Sequence, residues 1–258
     1  QEEAIETGAV EETPAPAPQT FKRSIELYQT HEFTEALGLL EWTRDNRKMC
    51  VMVGYPGIGK TTVIREFAKR VPDVHVIVCR STMRMRDLLD SIAESIGVSA
   101  SGSNDERVRR IQRELAANRD TMLIFDEADS FLQDRNGASR SWEISLVNEM
   151  LTQMESHDFP FVCTTNLMDR IDKAALRRFT FKVRYDCLTE DQRALCFEHF
   201  FGIGGADLRH LPSLTPGDFA VVREKAAFFD CLNDKARLIG MLETEQKNKA
   251  PVKHKIGF

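Results

Sequence analysis

From Phe21 onward, short apolar runs alternate with amphipathic stretches along the chain. That alternation predicts a parallel sheet whose strands are joined by helices. Five runs read as strands: 49–53, 74–79, 122–125, 161–165 and 179–185. Between them, Leu88, Leu89, Ile92 and Ile96 recur at helical spacing up to a stop at Gly97. Val108, Ile111 and Leu115 repeat the pattern after Ser103-Asn104-Asp105-Glu106, whose Ser and Glu fit a capping box. Beyond Cys187 the strand-like runs stop. Thr189-x-x-Gln192 and Thr215-Pro216-x-Asp218 read as helix starts, the second with Pro at the first helical position. The expected organisation is a three-layer α/β domain over 21–187, with five parallel strands, and a small all-helical lid over 188–258.

Residues 1–20 stand apart, rich in Glu, Pro and Ala and without a large aromatic. Such a segment buries too little apolar surface to offset its ordering entropy and is expected to be a disordered tail. It holds five acids and no Lys or Arg, which leaves 35 acidic against 35 basic residues elsewhere. The formal net charge of -5 therefore belongs to the tail, and the body is neutral. No apolar run reaches the length of a membrane span, and the acidic start lacks the basic and apolar regions of a signal peptide. A cytoplasmic protein without membrane contact is the expectation. The six cysteines are scattered with no Cys-x-x-Cys pair, so they are read as small hydrophobes and not as metal ligands.

The chemistry begins at Gly54-Tyr55-Pro56-Gly57-Ile58-Gly59-Lys60-Thr61, followed by Thr62, which fits G-x-x-x-x-G-K-[ST] between a predicted strand and a predicted helix. Glycines there let successive backbone N–H groups surround phosphates, and the helix N-terminus adds its partial positive charge. Lys60 is expected to reach the β and γ phosphates of ATP, and the Thr61 hydroxyl to ligate Mg²⁺. A second motif, Met122-Leu123-Ile124-Phe125-Asp126-Glu127, delivers two acids at the end of an apolar strand. Asp126 suits the Mg²⁺ shell, and Glu127 suits orienting and deprotonating the attacking water. The four letters Asp126-Glu127-Ala128-Asp129 also name a helicase group. Those enzymes need two such domains and a Ser-Ala-Thr motif, where this chain has room for one domain and reads Cys163-Thr164-Thr165-Asn166.

Asn166 at a strand end, then Ile171-Asp172-Lys173-Ala174-Ala175-Leu176-Arg177-Arg178-Phe179, completes an ordered set that resembles the AAA+ ATPases over about residues 25–250. The resemblance implies ATP hydrolysis, a ring or filament of identical subunits, and a helical lid. It also implies that Asn166 polarises the water and touches the γ phosphate, and that Arg177 or Arg178 reaches into a neighbouring subunit's site. A lid arginine at the nucleotide is left unassigned between Arg223 and Arg237. Within the family, the stretches Asp129-Ser130-Phe131-Leu132 and Val147-Asn148-Glu149-Met150-Leu151 resemble a bacterial AAA module, a kind that often remodels proteins. The stretches Pro56-Gly57-Ile58-Gly59-Lys60-Thr61-Thr62 and 81–89 resemble the MuB and TnsC type of transposition ATPase, which assembles on DNA.

The client follows from charge placement. The loop Arg80-Ser81-Thr82-Met83-Arg84-Met85-Arg86 has three arginines and no aromatic, which suits phosphate contacts better than a grip on polypeptide. Arg84 and Arg86, with Arg109, Arg110 and Arg113 on the helix whose apolar face is Val108, Ile111 and Leu115, are therefore the candidate duplex-DNA contacts. The competing reading puts Met83 and Met85 in the core and pairs the arginines with Asp87 and Asp90. Arg107 belongs to the same basic group, and 135–140 to a possible second substrate loop. Trp142, Leu146, Met150 and Met154 read as core. The reading drawn from these arginines is an oligomeric ATPase acting on DNA with a transposase or other protein partner. Its alternative is a protein-remodelling ATPase.

Overall fold

The computed structural model describes residues 30–132, 152, 159–167 and 171–249. In chain order the elements are α1 (His31–Asp45), β1 (Met49–Gly54), α2 (Lys60–Arg70), β2 (Val74–Val78), α3 (Met85–Ser95), α4 (Asn104–Ala117), β3 (Met122–Asp126) and α5 (Asp129–Leu132). They continue with β4 (Phe161–Thr165), α6 (Lys173–Arg178), β5 (Phe181–Tyr185), α7 (Glu190–Phe201), α8 (Pro216–Phe228) and α9 (Lys235–Lys247). The tail 1–20, the loop 135–140, the 147–151 stretch and the residues Trp142, Leu146 and Met154 lie outside the described residues.

The five strands form one parallel sheet in the order β2-β3-β4-β1-β5. β1, β3 and β4 are buried on both faces, which is why their sequences are apolar at nearly every position. Their side chains alternate between two cores. Val51, Val53, Leu123, Phe125, Phe161 and Cys163 face one core with α3, α4 and α6, while Cys50, Met52, Met122, Ile124 and Val162 face the other with α1 and α2. A one-residue slip of β1 would exchange the two sets, so packing fixes the register.

The predicted caps form. Ser103 and Glu106 exchange hydrogen bonds at the start of α4, Thr189 and Gln192 at the start of α7, and Thr215 and Asp218 pair ahead of Pro216 in α8. Four strand limits differ from the sequence reading, the first and third strands each running one residue further, to Gly54 and Asp126. The fifth strand starts at Phe181, because the Phe179 N–H closes α6 on Leu176 O and the Phe179 ring is buried under the sheet. The second ends at Val78, although the Cys79 N–H still bonds Asp126 O at 2.8 Å. The helix α1, which packs Phe33, Ala36 and Leu40 on the sheet, has no separate signal in the sequence reading.

The C-terminal helices enclose a core of their own, built on Phe197, Phe200, Phe201, Leu214, Phe219, Val222, Leu238 and Leu242. Phe219 is fully buried and packs near Phe200 and Phe201, at ring distances of 6.1 and 6.4 Å. The lid meets the α/β domain at α8. The Gly217 N–H donates to Gly57 O at 2.9 Å, and a hydrogen bond from Gln192 Nε2 to Glu32 Oε1 links α7 to α1.

Candidate functional site

β1 ends at Gly54, where there is no room for a side chain: a Cβ would lie 2.9 Å from Tyr185 O on β5. The chain then turns through Gly57 and Gly59, both at positive φ (80° and 104°), before entering α2. Gly59 caps α2 with no side-chain hydrogen bond, so the first-turn N–H groups keep the donor character that suits an anion. Lys60 is buried, its Nζ donating to Gly54 O at 2.7 Å, Tyr55 O at 3.1 Å and Asn166 Oδ1 at 2.9 Å. Burial pushes its pKa down to about 8, against the opposing pull of Asp129, Asp126 and Glu127.

At the end of β3, Asp126 is buried and accepts a hydrogen bond from the Thr164 hydroxyl on β4. That hydroxyl also accepts the Glu127 N–H at 3.0 Å. Glu127 is exposed at φ 57°, a left-handed conformation that costs a non-glycine residue about 1 kcal/mol or more. The turn is held open by its hydrogen bonds on either side, including Ala128 N–H to Thr164 O at 2.9 Å. At the end of β4, the backbone N–H of Asn166 donates to Asp129 Oδ1 at 2.8 Å, and its side-chain Nδ2 lies 3.4 Å from Asp129 Oδ2.

These strand ends surround one cavity of about 820 Å³. Pro56, Gly57, Ile58, Gly59, Lys60, Thr61 and Thr62 line it from the loop and α2, with Asp126, Glu127 and Asn166 opposite. Its other wall combines Glu32 and Phe33 of α1, Tyr185 at the end of β5, Leu188 after it, and Gln192, Phe200 and Gly217 of the lid. The glycine cradle and uncapped helix end fit a nucleotide's phosphates. The Thr61 hydroxyl and Asp126 carboxylate are the hard oxygen donors that magnesium takes. Thr164 and Asp129 were not singled out from the sequence, since their importance lies in hydrogen bonds that join the end of β4 to the end of β3 and the start of α5, which no local spacing encodes.

The remaining candidates lie elsewhere. Arg177 is exposed and Arg178 half-buried on α6, away from the cavity lining. Met85 is buried and Met83 packs on the core. Arg86 Nε sits 3.9 Å from Asp90 on α3, and Arg84 is exposed at the helix start, where its N–H bonds Asp87. Arg110 is occupied structurally, donating to Ser99 O at 2.7 Å, to Ser101 and to Glu106 O at 3.2 Å. Arg107 is buried against Asp90 and Gly102 O. Arg109 and Arg113 are exposed one turn apart on α4. Among the described residues no helix is long and apolar enough to cross a membrane.

Residues 50–186 match the profile of the family described as "ATPase family associated with various cellular activities (AAA)". Among curated proteins, the ATPase family gene 2 protein homolog B of Bos taurus is 29% identical over 180 residues, covering 65% of this chain and 22% of that protein. Spastin of Drosophila melanogaster is 25% identical over 182 residues, covering 66% and 22%. The chain thus spans about a fifth of the length of these relatives. Among solved structures, a chain of the E. coli MS115-1 HORMA:CdnC:Trip13 complex superposes with a TM-score of 0.56 at 16% identity, over 86% of this chain and 87% of that one.

Proposed function

Since the chain belongs to the AAA family of ATPases, which bind ATP with Mg²⁺ and hydrolyse it, we propose that it works as a homo-oligomer that spends this hydrolysis on remodelling a protein client. The observation that carries the catalytic reading is the convergence of Lys60, Asp126, Glu127 and Asn166 on one cavity at the ends of adjacent strands. The loop N–H groups and Lys60 grip the phosphates. Thr61 and Asp126 would hold magnesium, whose positive charge would offset that of the phosphates. Glu127 takes the proton of the attacking water, and Asn166 orients that water against the terminal phosphate. AAA ATPases generally oligomerise, and Arg177, the more exposed of the α6 pair, is assigned as the finger that a neighbour offers to this site.

Support for a protein client comes from two directions. The structural neighbour sits in an assembly with HORMA and CdnC components. The arginines that favoured DNA are in part committed elsewhere, Arg110 to a loop and Arg86 to Asp90. A second reading, a MuB- or TnsC-like action on duplex DNA with a transposase partner, draws on the exposed Arg84, Arg109 and Arg113. ATP turnover and particle size measured with and without duplex DNA, at low and high salt, separate the two. Unchanged turnover and no salt-sensitive DNA binding are expected; several-fold stimulation with assembly on DNA would replace the protein client by DNA.

A further inference from the structure

A side-chain amide has two ends of opposite character, and Asn166 is useful to hydrolysis only if the right end faces the phosphate. Its Oδ1 lies 2.9 Å from Lys60 Nζ, a group that as an ammonium can only donate. Its Nδ2 faces the Asp129 carboxylate at 3.4 Å, a group that in its ionised form can only accept. A flipped amide would set hydrogens against the ammonium and oxygen against the carboxylate, so both neighbours oppose it. Asp129 is itself held, because its Oδ1 accepts the Thr165 hydroxyl at 2.6 Å and the Asn166 N–H at 2.8 Å. The Thr165 hydroxyl in turn accepts the Leu167 N–H at 3.0 Å. Three hydrogen bonds therefore tie the residue two places beyond Glu127 to the end of β4.

We propose that Asp129 is a positioning residue for ATP hydrolysis, fixing the amide of Asn166 so that one Nδ2 hydrogen is taken by the carboxylate and the other is presented to the terminal phosphate or its attacking water. Lys60 cannot do this alone. Once its ammonium is drawn to phosphate, its hold on Oδ1 loosens, and Asp129 remains to keep the amide oriented while nucleotide is bound. The inference rests on the reading of Asn166 given above.

The test compares the parent with Asp129→Asn, Asn166→Ala and the double variant, each by ATP affinity, kcat and melting temperature. Asp129→Asn keeps the shape and can still accept from Thr165 and the Asn166 N–H, but it offers a donor where Nδ2 needs an acceptor. Its kcat is expected to fall roughly 10- to 100-fold while ATP binds within about 3-fold of the parent, since only orientation is lost. The double variant should be no slower than Asn166→Ala, because both act through one amide. A kcat within about 2-fold of the parent for Asp129→Asn, or losses that multiply in the double variant, would overturn the proposal. If Asn166→Ala alone turns over normally, the role of Asn166 fails and this inference fails with it, a result told apart by that single variant. Should Asp129→Asn not fold, Thr165→Val removes one donor to Asp129 at nearly constant volume; kcat is then expected to drop several-fold at unchanged ATP affinity, and an unchanged kcat counts against the proposal.

Discussion

At Lys60, burial and charge pull against each other. Desolvation lowers the pKa to about 8, below the usual value of a lysine, and the three nearby acids only partly restore it. Bound phosphate favours the ammonium, so nucleotide binding should draw in a proton whenever the free site has lost its own. The sign follows: affinity is at its full value below pH 8 and falls above it, by up to about ten-fold per pH unit. Titrating ATP affinity without magnesium between pH 7 and 9.5 checks this, and a flat profile would mean that Lys60 keeps its proton throughout. Lys60→Ala should weaken ATP binding by roughly 100-fold, the worth of two charge-assisted bonds. Glu127→Gln should leave binding intact while cutting turnover by about 100-fold or more, because the amide cannot accept the proton from water.

The contact between the phosphate loop and the lid belongs to whole elements. Gly217 opens α8 against Gly57, and a Cβ added there would lie 2.8 Å from the Gly57 Cα. Backbone cannot yield as a side-chain tip can, so Gly217→Ala should part α8 from the loop. A fall in ATP affinity of roughly ten-fold with unchanged helix content is expected. In the lid itself, Phe219→Ala should cost about 3–5 kcal/mol in denaturant unfolding, as for other fully buried rings, and a loss under 1 kcal/mol would mean that the lid core repacks freely.

Elements were legible where local chemistry set them. The central strands, the Ser103 and Thr189 capping boxes and the Pro216 helix start all follow from spacing within a few residues. The phosphate loop and the Asp126-Glu127 pair were legible for the same reason. What escaped depends on partners far along the chain. Thr164 and Asp126 are 38 residues apart, and Gly57 meets Gly217 only because the lid folds back over the loop. The arginines of α3 and α4 show the reverse case. Their clustering in sequence suggested one basic surface, but Arg107 and Arg110 bond the 99–102 turn while Arg109 and Arg113 face solvent.

For the whole molecule, the account requires that one subunit's Glu127 work with another subunit's Arg177. Within the chain α6 stands apart from the cavity lining, so the proposed role of Arg177 calls for a second copy placed against this one. The most direct measurement is the ATPase rate of Glu127→Gln and Arg177→Ala subunits, assayed separately and then mixed in equal amounts. Each alone should be nearly inactive. Random assembly pairs an intact Glu127 with an intact Arg177 at about a quarter of interfaces, so the mixture should recover up to roughly that share of the parent rate. A mixture no more active than its parts, or a Glu127→Gln preparation that hydrolyses ATP at the parent rate, would contradict the account.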